Sequence, residues 1–441
     1  MRNFIDKTFF LLFLQMVLFF SCARNVNSRD QYDYPAYDTD VLWELRTHFT
    51  DAFPNFTQEE NYLYCGEKLN ASDNYGFFSK INLCDGAYVW KSEELPFRCL
   101  LAKPLIIDNI VYIPTKVADY PCMYVLDKDS GNLLATLQLW NKDEEKKVLS
   151  SEEVLFFCNG KIYWVDSGVF MLDISKIDFF VSPNEIQIII PERIWYDDVY
   201  GLNISIFPVC KDNILYFITY DGNSYNNDWS THSRVIAFDL INNKELWNYS
   251  CKKLYGYGIN NQIIVDDKLY IIEQGIGCFD LKTGKCYHES TQTKEDLMHE
   301  DDILGGVLSD GITYCDGKFF YTNTASWASS SMTGIPKKYI HNIICLDAKT
   351  LKIVWGQLPK GSGSQSACPT VINGKVFVPL CLRGLCVLDE KTGKILGIDT
   401  TIVSFGGDQS FSYNGVAYFM DYNNARDSSK ENKTRLIAVR P

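Results

Sequence analysis

Short apolar runs with polar punctuation recur along the whole chain, and the punctuation is of one kind. Seven times an apolar strand ends in a small polar turn and restarts as a second strand. The turns open at Asp108-Asn109, Asn159-Gly160, Asp212-Asn213, Asp266-Asp267, Asp316-Gly317, Asn373-Gly374 and Asn414-Gly415. Asn-Gly and Asp-Gly between apolar runs predict tight β-hairpins, because the turn residues must tolerate positive φ. A second hairpin follows most of these. Asn82, Asp239 and Asp347 each stand eight residues before a tryptophan, at Trp90, Trp247 and Trp355. Gly86, Gly131, Gly284 and Gly393 stand four places after the acidic or amide residue of their own turns. An Asp or Asn side chain there accepts from turn amides, and glycine takes the left-handed position.

Two hairpins per repeat make four strands, one blade of a β-propeller. The predicted blades span 55–93, 102–139, 152–194, 203–250, 259–290, 303–358, 366–399 and 403–441. The expected fold is therefore an all-β, eight-bladed propeller, with seven blades as the alternative because the first repeat is the least regular. The last repeat lacks its outer strand, since the chain ends Leu436-Ile437-Ala438-Val439-Arg440-Pro441. Val41-Leu42-Trp43 resembles Glu245-Leu246-Trp247 and Ile353-Val354-Trp355, so residues 41–46 are expected to pair with the final blade and close the ring.

The N-terminus reads differently. Arg2 and Lys7 precede the apolar run Phe9 to Phe20 and then Ser21-Cys22-Ala23, the layout of an export signal and too short to span a bilayer. Ser21-Cys22 resembles the bacterial lipoprotein pattern, which would make Cys22 the lipidated first residue, although Phe19 stands where that pattern usually has Leu. Ordinary secretion, with Ser21 and Ala23 before the cut, is the alternative. The expected organisation is a signal peptide at 1–21, a polar tether at 22–40 and a propeller domain at 41–441.

The repeat small–x–Asp–x–x–Thr–Gly–Lys–x–x–Trp resembles that of pyrroloquinoline-quinone-type propellers. It stands at Ala237 to Trp247 with Asn242 and Asn243 replacing Thr-Gly, and at Cys345 to Trp355 with Leu351 replacing Gly. Cys278 to His288 keeps Asp280, Thr283, Gly284 and Lys285. Val387 to Gly397 keeps Asp389, Thr392, Gly393 and Lys394 and loses the Trp. The resemblance implies the fold and leaves two functional classes. One is the quinoprotein dehydrogenases, which hold a quinone and calcium; the other is non-enzymatic envelope proteins, including outer-membrane lipoproteins. The enzymes characteristically set adjacent cysteines against the quinone, and this chain has no Cys-Cys pair. The shared fold does not decide between them; the missing pair weighs against the enzymes, and the non-enzymatic branch is the expectation.

The fifteen cysteines fit that reading. Cys278 and Cys345 take the small-residue slot that Ala237 fills, and Cys158 and Cys315 the slot of Ile107, Val265 and Ile372. Cys210 lies level with Ile106. Residues that alternate with Val, Ile and Ala behave as core hydrophobes. Cys65, Cys84, Cys99 and Cys122, and the near pairs Cys278 with Cys286 and Cys381 with Cys386, are the disulfide candidates. None of the five histidines sits in a metal or nucleophile frame. A net charge of −13 argues against nucleic acid as a partner.

Long insertions between second and third strands fall at Asp221–Ser233, Asn323–Asn342 and Asp421–Thr434. They gather Tyr225, Trp229, Trp327, Lys337, Lys338, Tyr339 and Arg426 on the face expected to bind a partner. The expected function is a non-catalytic, lipid-anchored scaffold of the bacterial envelope, with protein partners and neither cofactor nor metal. A propeller that binds carbohydrate or another small ligand is the first rival. A quinone-dependent dehydrogenase is the second.

Overall fold

The computed structural model describes residues 34–49, 56–68, 74–97, 99–100, 102–117, 120–139, 154–166, 168–196, 203–204, 208–220, 233–252, 261–272, 275–291, 312–322, 343–357, 359, 368–380, 384–402, 410–421 and 434–440. The fold class is that of an eight-bladed β-propeller of four-stranded antiparallel blades. The one helical turn among the described residues is Ile174–Lys176.

The described residues form two compact units. The first, within 41–296 and 434–438, carries five blades in chain order. Blade one contains Thr57–Glu59, Tyr62–Lys68, Tyr75–Asn82 and Tyr88–Lys91, and blade two Leu105–Ile107, Ile110–Val117, Tyr120–Asp127 and Leu133–Gln138. Blade three contains Phe156–Cys158, Lys161–Val165, Val169–Asp173 and Glu192–Trp195. Blade four contains Val209–Lys211, Ile214–Tyr220, Ser233–Asp239 and Lys244–Ser250, and blade five Asn261–Val265, Lys268–Ile272, Gly275–Asp280 and Cys286–Thr291. The second unit, within 34–40, 312–421 and 439–440, holds blade six from Thr313–Cys315 to Ile353–Gln357 and blade seven from Thr370–Ile372 to Ile395–Asp399. It also holds the hairpin Ser410–Tyr413 with Val416–Asp421.

Five of the seven first turns have the expected geometry, while at Asp108-Asn109 and Asp266-Asp267 the first residue alone is at positive φ. Asn159-Gly160 (φ 48° and 73°), Asn373-Gly374 (51° and 73°) and Asp212-Asn213 (54° and 61°) place both turn residues at positive φ. That is the backbone of a hairpin turn whose twist matches its strands. Each blade is apolar on both faces, because its second and third strands are buried almost throughout. The core therefore lies between successive blades. Tyr64, Phe78, Val111 and Tyr124 fill one such layer, and Ala135, Leu137, Trp164 and Leu172 the next. In the second unit Phe320, Cys345, Val376, Val378 and Cys386 do the same.

The expected partnership of the first and last strands is present. Asp40–Phe49 lies beside Thr434–Arg440. Arg435 pairs with Glu44 at 2.8 Å and Arg440 with Asp40 at 3.1 Å, the opposite order along the two strands that an antiparallel pair gives. The far end of the first strand continues onto blade one, with His48 opposite Lys68 and Phe49 opposite Glu67.

Two further strands lie outside the four-strand repeat. Residues 174–191 leave blade three between its third and fourth strands, and Ile186–Ile188 adds in parallel to the outer strand of blade two. Ala36, in the stretch expected to be a tether, pairs in parallel with Ile398 on the outer strand of blade seven. There Thr39 donates its amide (3.3 Å) and hydroxyl to Asp399. Neither addition is visible as periodicity, because each depends on a strand far away in sequence.

Candidate functional site

Conspicuous residues of the repeat turn out to build corners. In the second turns at Asp127, Asp239, Asp280, Asp347 and Asp389 the carboxylate accepts from the amide and side chain three places on. Asp280 accepts from Thr283 at 2.8 and 2.7 Å, and Asp389 from Thr392 at 2.8 and 2.6 Å. These bonds hold both carboxyls below the ordinary range. Where the repeat keeps its tryptophan, the indole reaches the following blade. Trp43 donates Nε1 to the Leu83 carbonyl (3.0 Å), Trp90 to Lys128 (2.9 Å), Trp247 to Leu281 (2.9 Å) and Trp355 to Glu390 (2.8 Å). Each indole covers the glycine of the turn that it reaches. A Cβ placed on Gly86, Gly131, Gly284 or Gly393 would stand 2.5–2.6 Å from the ring.

Departures from the repeat follow the same logic. Turn positions filled by Asn243 and Leu351 follow blades three and five, whose outer strands carry no Trp in the donor slot; His288 holds it in blade five, opposite Cys278. Asn243 (φ 50°) and Leu351 (φ 56°) still adopt the left-handed backbone.

The cysteines are free among the described residues, Cys278 and Cys286 included, so that near pair forms no disulfide. Burial pushes the Cys345 and Cys386 thiols up to about 12 and those of Cys122 and Cys210 up to about 11. A thiol so displaced is protonated at neutral pH and is a poor nucleophile. Cys22, Cys381 and the side chain of Cys99 lie outside the described residues.

One buried polar group was not foreseen. Glu67 is fully buried in blade one, where the Ser79 hydroxyl and the Tyr88 hydroxyl (2.8 Å) donate to it. Lys91 stands 3.8 Å away, its ammonium 3.7 Å from the centre of the Tyr88 ring. Cys65 lies 3.4 Å from the Ser79 oxygen. Serine, thiol and carboxylate so close suggest a nucleophile, but burial and the Glu67 charge both raise the Cys65 pKa. Neutral thiol, donated hydroxyls and a nearby ammonium instead offset the cost of burying the carboxylate.

The loop residues expected to meet a partner, Tyr225, Trp229, Trp327, Lys337, Lys338, Tyr339 and Arg426, lie outside the described residues. A different surface stands out among those described. In the blade-three insertion Phe180 is fully exposed, and Ile186 (57%) and Ile188 (64%) project into solvent. The intervening Gln187 is half-buried, accepting from the Asp178 amide (2.9 Å) and donating to the Asp178 carbonyl (2.8 Å). The polar side chain is thus the more covered one and the apolar pair the more exposed. Thr136 bonds the Pro183 carbonyl at 2.8 Å, and Ile177 and Ile189 are buried in the layer between blades two and three. The segment is therefore pinned, and its apolar side chains are held outward. A Phe-Phe pair followed by Ile-x-Ile was the signal in the sequence, hidden because it sits in an insertion and not in the repeat.

No protein-family model matches the chain, and no curated protein matches it in sequence. Solved structures do. The chain is similar to BamB from Moraxella catarrhalis, at 14% identity and a TM-score of 0.54 over 91% of this chain and 98% of that one. It is similar to a europium-containing methanol dehydrogenase at 12% identity and 0.57, over 93% and 96%. The computationally designed protein Ika8 gives 13% and 0.55, over 90% and 99%. At these identities the likeness shows the fold alone, that of an eight-bladed β-propeller.

Proposed function

We propose that this chain is a non-catalytic binding scaffold of a bacterial cell envelope, delivered as a lipoprotein through Cys22 and serving protein partners. The observation that carries the reading is that one pinned insertion exposes four large apolar side chains, Phe179, Phe180, Ile186 and Ile188. Leaving a large apolar side chain in water forgoes about 1.5–3 kcal/mol of burial. A segment tied down by Gln187, Thr136 and two buried isoleucines has its inner face satisfied, so the outer face is free to bind. BamB among the similar structures is consistent with a scaffold.

The dehydrogenases among those structures favour a second reading, and the donor set here does not fit it. The sequence has no adjacent cysteines to lie against a quinone. Among the described residues no three His, Cys, Asp or Glu side chains come together as a cation would require. The chemistry of such a cofactor is therefore not assigned to any residue of this chain.

Affinity purification of the tagged chain from its native envelope, followed by mass spectrometry, tests the proposal. A partner set captured by the wild type and lost with Phe180→Ser supports it. Dye reduction on adding quinone, calcium and an alcohol overturns it, as does capture that ignores the insertion.

A further inference from the structure

Of the two edges of Ile186–Ile188, one is bonded in parallel to the outer strand of blade two. The sheet order ends at Ile186–Ile188, so among the described residues no strand lies along its other edge. Exposed edges are normally blunted by charge, proline or a covering segment. Ile186-Gln187-Ile188 contains no charge and no proline, and its two apolar side chains face out.

The same chain shows how a blade edge is filled. On blade seven the Tyr37 amide donates to the Ile398 carbonyl and the Ile398 amide to the Pro35 carbonyl, both at 3.1 Å. There an extended segment from outside the repeat has joined an outer strand in parallel. Ile186–Ile188 is itself such an addition to blade two.

We propose that the free edge of Ile186–Ile188 receives an extended segment of the protein partner as an added β-strand. Its apolar side chains would fall at alternate positions against Ile186 and Ile188. Main-chain hydrogen bonds supply affinity in such pairing, and alternate side chains supply selectivity. Exposed Asp178 and Glu185 near the edge, and the net charge of −13, favour Lys or Arg at the partner's polar positions. The inference rests on the binding role proposed above and adds its mode.

A random linear dodecapeptide library displayed on phage, selected on the intact chain and counter-selected on the Ile186→Asp/Ile188→Asp variant, tests it. The variant must first match the wild-type circular dichroism melt. The expected winners alternate apolar with basic or polar residues. Methylating every other backbone amide of a winner, in the two alternative phases, should weaken binding about tenfold or more in one phase only. Winners without that period, enrichment that survives the variant, no enrichment, or insensitivity to both methylation phases would each overturn the strand mode. Envelope capture that still depends on Phe180 would then leave the binding role standing, whereas its loss would remove the role itself.

Discussion

The indole of Trp355 donates to the Glu390 carbonyl at 2.8 Å while its ring covers Gly393, three residues further on. The pair ties the outer strand of blade six to the corner of blade seven. Gly393 is constrained twice, by a φ of 68° and by a ring atom 2.5 Å from where a Cβ would stand. Gly393→Ala is expected to destabilise by about 2–4 kcal/mol, combining left-handed strain with overpacking. Trp355→Ala is expected to cost about 3–5 kcal/mol. Denaturant melts of the double variant should show less than the sum, because removing the ring makes room for the methyl. Additive losses would deny the coupling.

Tyr321 is fully buried, and among the described residues its hydroxyl has no hydrogen-bond partner. A buried unsatisfied hydroxyl costs about 1–3 kcal/mol. Tyr321→Phe keeps the ring and removes that oxygen, so the variant should be more stable by a gain in that range. A lower denaturation midpoint would show that the hydroxyl is satisfied.

Residues 41–46 contribute a strand beside Thr434–Arg440 and carry Trp43, the ring that covers Gly86. Removing them leaves an unpaired strand edge and an uncovered corner. Scanning calorimetry of the deletion should show a melt at least about 5 °C lower. Trp43→Ala, which keeps the strand, should fall between the two. A deletion that melts like the wild type would make the pairing incidental.

Acid should weaken the corners. Asp280 and Asp389 have folded pKa values below the unfolded one, so the folded state binds fewer protons. Their contribution is present above about pH 4, the unfolded carboxyl value, and is lost as pH falls through the folded values. Thr283→Val and Thr392→Val remove the largest cause of the depression. The variants should melt below the wild type at neutral pH, with the gap closing in acid. A gap that stays constant from pH 7 to about 2 would assign the loss to something other than the carboxylates.

The turns were legible because their determinants are local. Asn373-Gly374 or Asp389 to Lys394 dictates its own backbone whatever surrounds it. Blade count followed, and the first repeat, the least regular in sequence, proved to be a blade as well. What stayed hidden depends on distant partners. Gln187 pairs in register with Leu137, fifty positions earlier, and Ala36 with Ile398. Nothing in either segment names the strand that it joins. Glu67 was equally silent, since its burial is decided by Ser79, Tyr88 and Lys91 converging from other strands. The cysteine slots were readable from the repeat, because Cys278 and Cys345 are buried at the position that Ala237 and Val387 fill in sister blades.

The indole-over-glycine corner also limits how this chain can change by copying. Blade one carries both halves of the corner, Gly86 and Trp90, so a tandem copy of it meets a matching partner at either junction. Exchanging repeats is another matter. The Leu351 corner placed after the Trp247 strand would push a branched side chain into the ring, and the Gly284 corner placed after His288 would leave a gap. The order of the blades is thus written into their seams, and rearrangement has to carry both halves of a seam together.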